Sequence, residues 1–174
     1  MHRMLLLAGA IAGLALTACP ETMAQQTAPA PAAPPAAPSP PLAYGMPISL
    51  ALAKKAAAAA EAEAKKSGFP SAIVIVGPNG ETIYSEKMDG SNNSAVMAAE
   101  QKAKGAALYR RPSKFFEDRV QQAPYVIQLA GISVIGGGIP LVSAGHIVGA
   151  IGVSGAPNST LDAQAAQAGV DAVK

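Results

Sequence analysis

The chain has 174 residues, half of them hydrophobic, with 4% aromatic, no tryptophan, one cysteine and a formal charge of +2. A near-neutral chain with few aromatics and no basic stripe is unsuited to nucleic acid and to an aromatic ligand cage. The single cysteine, Cys19, excludes an internal disulfide and a cysteine-ligated metal site.

Met1 to Ala24 reads as an export signal: Arg3, an apolar stretch from Met4 to Leu16, then small residues. The stretch is short for a bilayer span. Two processing readings stand side by side. Leu16-Thr17-Ala18-Cys19 resembles a lipoprotein box, which would make Cys19 a lipidated N-terminus and the protein membrane-anchored. Thr22-Met23-Ala24 fits ordinary cleavage before Gln25, leaving a periplasmic protein. Residues 25–45 are a proline- and alanine-rich tether that buries little, and a domain of one core follows from 46 to 174. Removing the signal leaves the charge at +2, because Arg3 and Glu21 leave together.

Within that domain, Ser49 to Lys66 is predicted helical, with Ser49 as N-cap, Gly68 and Pro70 as stops, and Leu50, Ala53, Ala57, Ala60 and Ala64 on one face. Ala72–Val76 and Glu81–Lys87 read as antiparallel strands around Pro78-Asn79-Gly80. Ser94–Tyr109 is a second helix, closed by Arg110, Arg111 and Pro112. Ser113 is expected to cap a third, Lys114–Gln122. A short strand is expected over Ile132–Ile135. Ile139–Val142 and Ile147–Val153 then form a hairpin across Ala144-Gly145. Gly149, Gly152 and Gly155 mark a bulge or a close backbone approach. Ser159–Val173 is a last helix, with Ser159 and Asp162 arranged as a capping box. The order predicts an α+β fold: about five antiparallel strands with flanking helices.

Residues suited to catalysis are sparse. His146 is the one histidine after Ala24, and its hairpin position suggests a solvated side chain. Nothing sets Ser133, Ser143 or Ser154 against it with an orienting acid, and Glu100 and Glu117 form no acid–base pair. The glycines at 149, 152 and 155 lie in a strand and lack the lysine of a phosphate loop. Arg110-Arg111-Pro112-Ser113 is the most suggestive cluster. It has a complete structural reading as a helix stop and start. It also has a functional reading: two arginines and a helix N-terminus for a carboxylate or propionate, beside Phe115-Phe116 as an apolar wall.

Met88-Asp89-Gly90, Ala103-Lys104, Ala107-Leu108, Arg110 to Ser113, Gly137-Gly138-Ile139-Pro140 and Gly149 to Gly155 occur together in this order. With this set, Ile48 to Val173 resembles the GlcG/HbpS family of haem-degrading or haem-binding proteins, also seen as the C-terminal part of PduO-type proteins. The resemblance implies a five-stranded sheet of PAS- or profilin-like layout, homo-oligomers up to octamers, and haem at the surface or between subunits. It places Ser113 where threonine is more usual, as a weak, exchangeable oxygen ligand. Met46 lies where some members carry histidine, with its thioether as an alternative ligand. Arg110, Arg111 and Phe116 complete the implied haem-binding set. The expectation is an exported haem-binding or haem-sensing protein without its own catalytic chemistry. Alternatives are an assembly protein binding no small ligand, and an accessory protein of small hydroxy-acid or diol metabolism.

Overall fold

The computed structural model describes residues 40–174. The export signal, Cys19 and the tether up to residue 39 lie outside the described residues. The elements are α1 (Leu50–Ser67), β1 (Ala72–Val76), β2 (Thr82–Lys87), α2 (Ala95–Tyr109), α3 (Lys114–Val120), a 3-10 turn (Pro124–Gln128), β3 (Gly138–Ser143), β4 (His146–Ser154) and α4 (Ser159–Asp171).

The four strands form one antiparallel sheet in the order β2-β1-β4-β3. β1 is central and reads Ala-Ile-Val-Ile-Val because every position is buried. Its side chains alternate between two cores. Ile73 and Ile75, with Leu141, Ile151 and Val153, meet the alanine faces of α1 and α4. Ala72, Val74 and Val76 meet Ala95, Ala99, Ala103, Ala106 and Ala107 of α2 on the other side. The sheet is thus sandwiched between α1/α4 and α2. Alanine is the common packing residue because it lets a helix backbone lie close to the sheet.

Two glycines carry that closeness furthest. A Cβ at Gly152 would lie 2.0 Å from the carbonyl oxygen of Ala99, and one at Gly138 would lie 2.1 Å from that of Lys102. Both contacts are with the α2 backbone, which has no room to yield. The β3–β4 hairpin closes on Ala144 (φ 46°) and Gly145 (φ 77°), the left-handed pair that a two-residue turn matched to strand twist requires.

Several expectations change. The sheet has four strands, not about five. Ile132–Ile135 is irregular because side chains take its backbone groups: Ser133 Oγ accepts from the Ile135 N–H, and Ser113 Oγ donates to the Ile135 carbonyl. Leu50 is exposed, and Ala56 takes its place on the buried face of α1. Asn158, rather than Ser159, caps α4: its backbone is extended and its Oδ1 accepts from the Leu161 N–H at 3.0 Å. Ser113 has helical backbone angles and makes no side-chain cap. Residues 43–45, assigned to the tether by composition, are joined to the domain. Ala43 O accepts from the Ile147 N–H, and the Gly45 N–H donates to Ile147 O, both at 2.9 Å. The leader runs parallel to β4 at this point.

Candidate functional site

The Arg110–Ser113 cluster lies between the end of α2 and the start of α3. Arg110 is the C-cap of α2 and adopts a left-handed backbone (φ 53°), unusual for a residue with a side chain. Its guanidinium lies 5.3 Å from the centre of the Tyr44 ring, and Nη1 donates to Leu42 O at 3.4 Å. Tyr44 in turn donates its hydroxyl to the Ala107 and Leu108 carbonyls, 3.0 and 2.9 Å away. Ala107 O also accepts from the Arg110 N–H at 3.3 Å, so the leader adds a side-chain donor to carbonyls of the last helical turn. Arg111 lies 4.5 Å above the Phe115 ring, and its Nε donates to Tyr109 O at 3.2 Å. Each arginine is therefore laid over an aromatic ring. Arg110 is exposed and Arg111 half-buried.

The other expected haem-site residues are placed differently. Ser113 is fully buried. Its Oγ donates to Ile135 O and accepts from the Gly138 N–H, both at 2.9 Å. Its N–H donates to Gly138 O at 2.9 Å. The hydroxyl stitches α3 to the entry of β3, and a ligand would have to break a bond to reach it. Phe116 is also buried and packs edge-on against Tyr109 and Phe115, with ring centres 5.3 and 5.4 Å apart. The exposed aromatic face is that of Phe115. Met46 is 83% exposed, two residues along the leader from Tyr44. The structure pairs Arg110 with Tyr44 and Arg111 with Phe115, on consecutive residues at the end of α2, and buries Ser113 and Phe116.

A second polar centre lies elsewhere. Lys102 on α2 is only 2% exposed; its Nζ donates to Asp162 Oδ2 at 2.7 Å and to Val153 O at 3.0 Å. Asp162 Oδ1 accepts from the Ala156 N–H at 3.0 Å. Nearby, Glu117 accepts from the Gly136 N–H and from Ser159 Oγ, and pairs with Lys114. Burial pushes the Glu117 carboxyl up. The Gly136 N–H, the Ser159 hydroxyl and Lys114 together outweigh it and hold the carboxyl below the usual carboxylate range.

Lys102 carries no expectation from sequence, and Asp162, expected in a capping box with Ser159, instead accepts from Lys102 and the Ala156 N–H. The available signal was helical phase: Lys102 is three residues after Ala99 and four before Ala106, on the stripe facing the sheet. Among the described residues no group of three or more histidine, cysteine or acidic side chains could hold a metal ion. His146 is exposed at the hairpin, with Nδ1 2.9 Å from Ala144 O.

The cavity beside Lys102 has a volume of about 270 Å³. One between α1 and the β3–β4 hairpin, lined by Ile48, Leu52 and Val148, measures about 190 Å³. A third on α3, lined by Phe115 and Arg119, measures about 210 Å³. All three are smaller than the roughly 300–1,000 Å³ of pockets that enclose an organic cofactor.

Known proteins match both sequence and fold. Residues 48–171 match the family described as "Haem degrading protein HbpS-like". Protein GlcG of Escherichia coli K12 is 33% identical over 108 residues, covering 62% of this chain and 81% of GlcG. A crystal structure of a Streptomyces reticuli HbpS double mutant is 34% identical, covers 82% of this chain and 98% of its own, and superposes with a TM-score of 0.70. A PduOC–haem complex, 22% identical, shares the fold at a TM-score of 0.67, over 74% of this chain and 96% of its own. The profile match spans nearly the whole described domain, and the chain belongs to the HbpS-like family.

Proposed function

We propose that this is an exported haem-binding protein whose task is to hold or sense haem rather than to transform it. The observation that carries the proposal is the arginine pair on a family-matched domain: consecutive Arg110 and Arg111, laid over Tyr44 and Phe115. Propionates suit such guanidiniums, and the flat macrocycle suits the exposed Phe115 face. The exposed thioether of Met46 would be a candidate iron ligand from the leader. Ser113 acts in this reading by positioning: it ties the start of α3 to β3 and so fixes Phe115 relative to Arg111. The fold relative solved with haem and the family's description point to the same ligand. Bound haem would supply the visible spectrum and the redox chemistry. The apparent export signal gives such a protein access to haem outside the cytoplasm.

Haemin titration of the purified protein tests this. A saturable Soret change is expected, weakened at least tenfold in Arg110→Ala/Arg111→Ala and less strongly in Ser113→Ala, which loses only the positioning of Phe115. No saturable change, or an unaltered one in the double variant, sinks the site. The family's description also favours a second reading, haem degradation. Ascorbate or hydrogen peroxide added to the complex separates the two. A Soret band that outlasts that of free haemin marks a binder, and faster loss than free haemin marks a degrader.

A further inference from the structure

We infer that the cavity beside Lys102 is a binding site for a short monocarboxylate, about the size of lactate and separate from the arginine surface. The cavity lies where α2, α4 and the segment before β3 converge. Its polar lining is Gln101, Lys102, Ser154, Asn158, Ser159 and Asp162, with Ser133, whose hydroxyl is already bonded to Ile135.

The ligand class follows from which hydrogen-bonding capacity is already used. Lys102 has three N–H donors, and two go to Val153 O and Asp162 Oδ2. Asn158 gives its side-chain oxygen to the Leu161 N–H, which leaves its amide donors. Ser159 gives its hydroxyl proton to Glu117. The Gln101 amide and the Ser154 hydroxyl have no side-chain partner among the described residues. What remains is weighted toward donors: a lysine N–H, two amides and a hydroxyl. The N-terminus of the 13-residue α4 lies on the same wall and favours negative charge. An acceptor-rich, anionic ligand fits this set.

Two observations limit that charge and size. Asp162 lines this wall and Glu117 stands behind Ser159, so a dianion meets more repulsion than one carboxylate that Lys102 can bridge. A volume of about 270 Å³ admits a few carbons and excludes a porphyrin. A ligand hydroxyl would find its acceptor in the remaining lone pairs of Asp162. Asp162 neutralises the lysine and Val153 O takes a second donor, which leaves the third. The lysine also borders an open polar space.

The experiment is an NMR titration of the full domain with sodium lactate, following the side-chain amide signals of Gln101 and Asn158. Glycerol and sodium sulfate at matched concentration and ionic strength are the comparators. Saturable shifts with lactate, absent with glycerol and sulfate, are expected. The Gln101→Leu/Ser154→Ala variant, which leaves the ion pair intact, should weaken binding at least tenfold at an unchanged melting temperature. Lys102→Met/Asp162→Leu, which removes the pair without orphaning either charge, should abolish it while the spectrum stays dispersed. Shifts that do not saturate, equal shifts with glycerol or sulfate, or unaltered lactate affinity in either variant overturn the assignment.

Discussion

At the scale of single residues, the arrangement with most at stake is the Lys102–Asp162 pair. Both side chains are almost wholly removed from water, and each has further backbone partners. Removing one partner leaves a buried charge, so Lys102→Met should cost about 3–5 kcal/mol in urea unfolding. Replacing both with apolar residues leaves no orphan, and Lys102→Met/Asp162→Leu should recover most of that loss. A double variant no more stable than the single one would show that the pair is not the source of the cost. Glu117 yields a pH prediction. Its folded-state pKa lies below the ordinary value of 4.5, so it contributes stability above that value. The contribution fades as pH falls through the depressed pKa and the carboxylate is protonated. Glu117→Gln should therefore be less stable than the parent at pH 7, with the gap closing as the pH falls below 4.5 and through the depressed pKa. A gap independent of pH would reject the assignment. The site was half legible at this scale. Arg110 and Arg111 were visible because basic residues at a helix end followed by proline stand out. Lys102 was not, because a charged residue in a helix reads as solvent-facing until its phase is counted.

At the scale of elements, close backbone approach between α2 and the β3–β4 hairpin dominates. Gly152→Ala puts a methyl carbon into the Ala99 carbonyl, and the clash can be relieved only by moving α2 off the sheet. A loss of about 3 kcal/mol or more is expected in chemical denaturation, at the upper end of overpacking costs. Wild-type stability for this variant would mean that α2 shifts freely. The leader is an element too, although composition places it in the tether. A chain beginning at Met46 lacks the Ala43 and Gly45 pairing with Ile147 and the Tyr44 hydroxyl on the end of α2. It should melt several degrees below one beginning at Leu42, since each net hydrogen bond contributes about 0.5–1.5 kcal/mol. Equal melting temperatures would show the leader to be an ornament of the fold. All four helices and the four observed strands were legible from period, caps and turn residues. The expected strand at Ile132–Ile135 failed because Ser113 and Ser133, from outside and inside the segment, capture its backbone groups. Apolar pattern carries no trace of such capture.

At the scale of the whole molecule, ligand size sets the question. The three cavities of 190, 270 and 210 Å³ are each too small to enclose a porphyrin. On the proposed haem-binding reading, none of these three encloses the ligand, and haem would lie on an open face or between copies of the chain. The arginine cluster has features of both: Phe115, beside Arg111, is exposed, and a flat ring could cover it from one side. If a second copy covers the other side, haem binds the assembly better than the single chain, and mass action links the two equilibria. Haemin should then raise the mass measured by light scattering at chain concentrations where the haem-free protein is smaller. Arg110→Ala/Arg111→Ala should lose the haem-dependent increase while keeping the haem-free mass. A saturable Soret change with no change of mass at any chain concentration would place haem on one copy's surface and remove the second copy from the site. A mass that rises equally in the arginine variant would put the shared surface elsewhere.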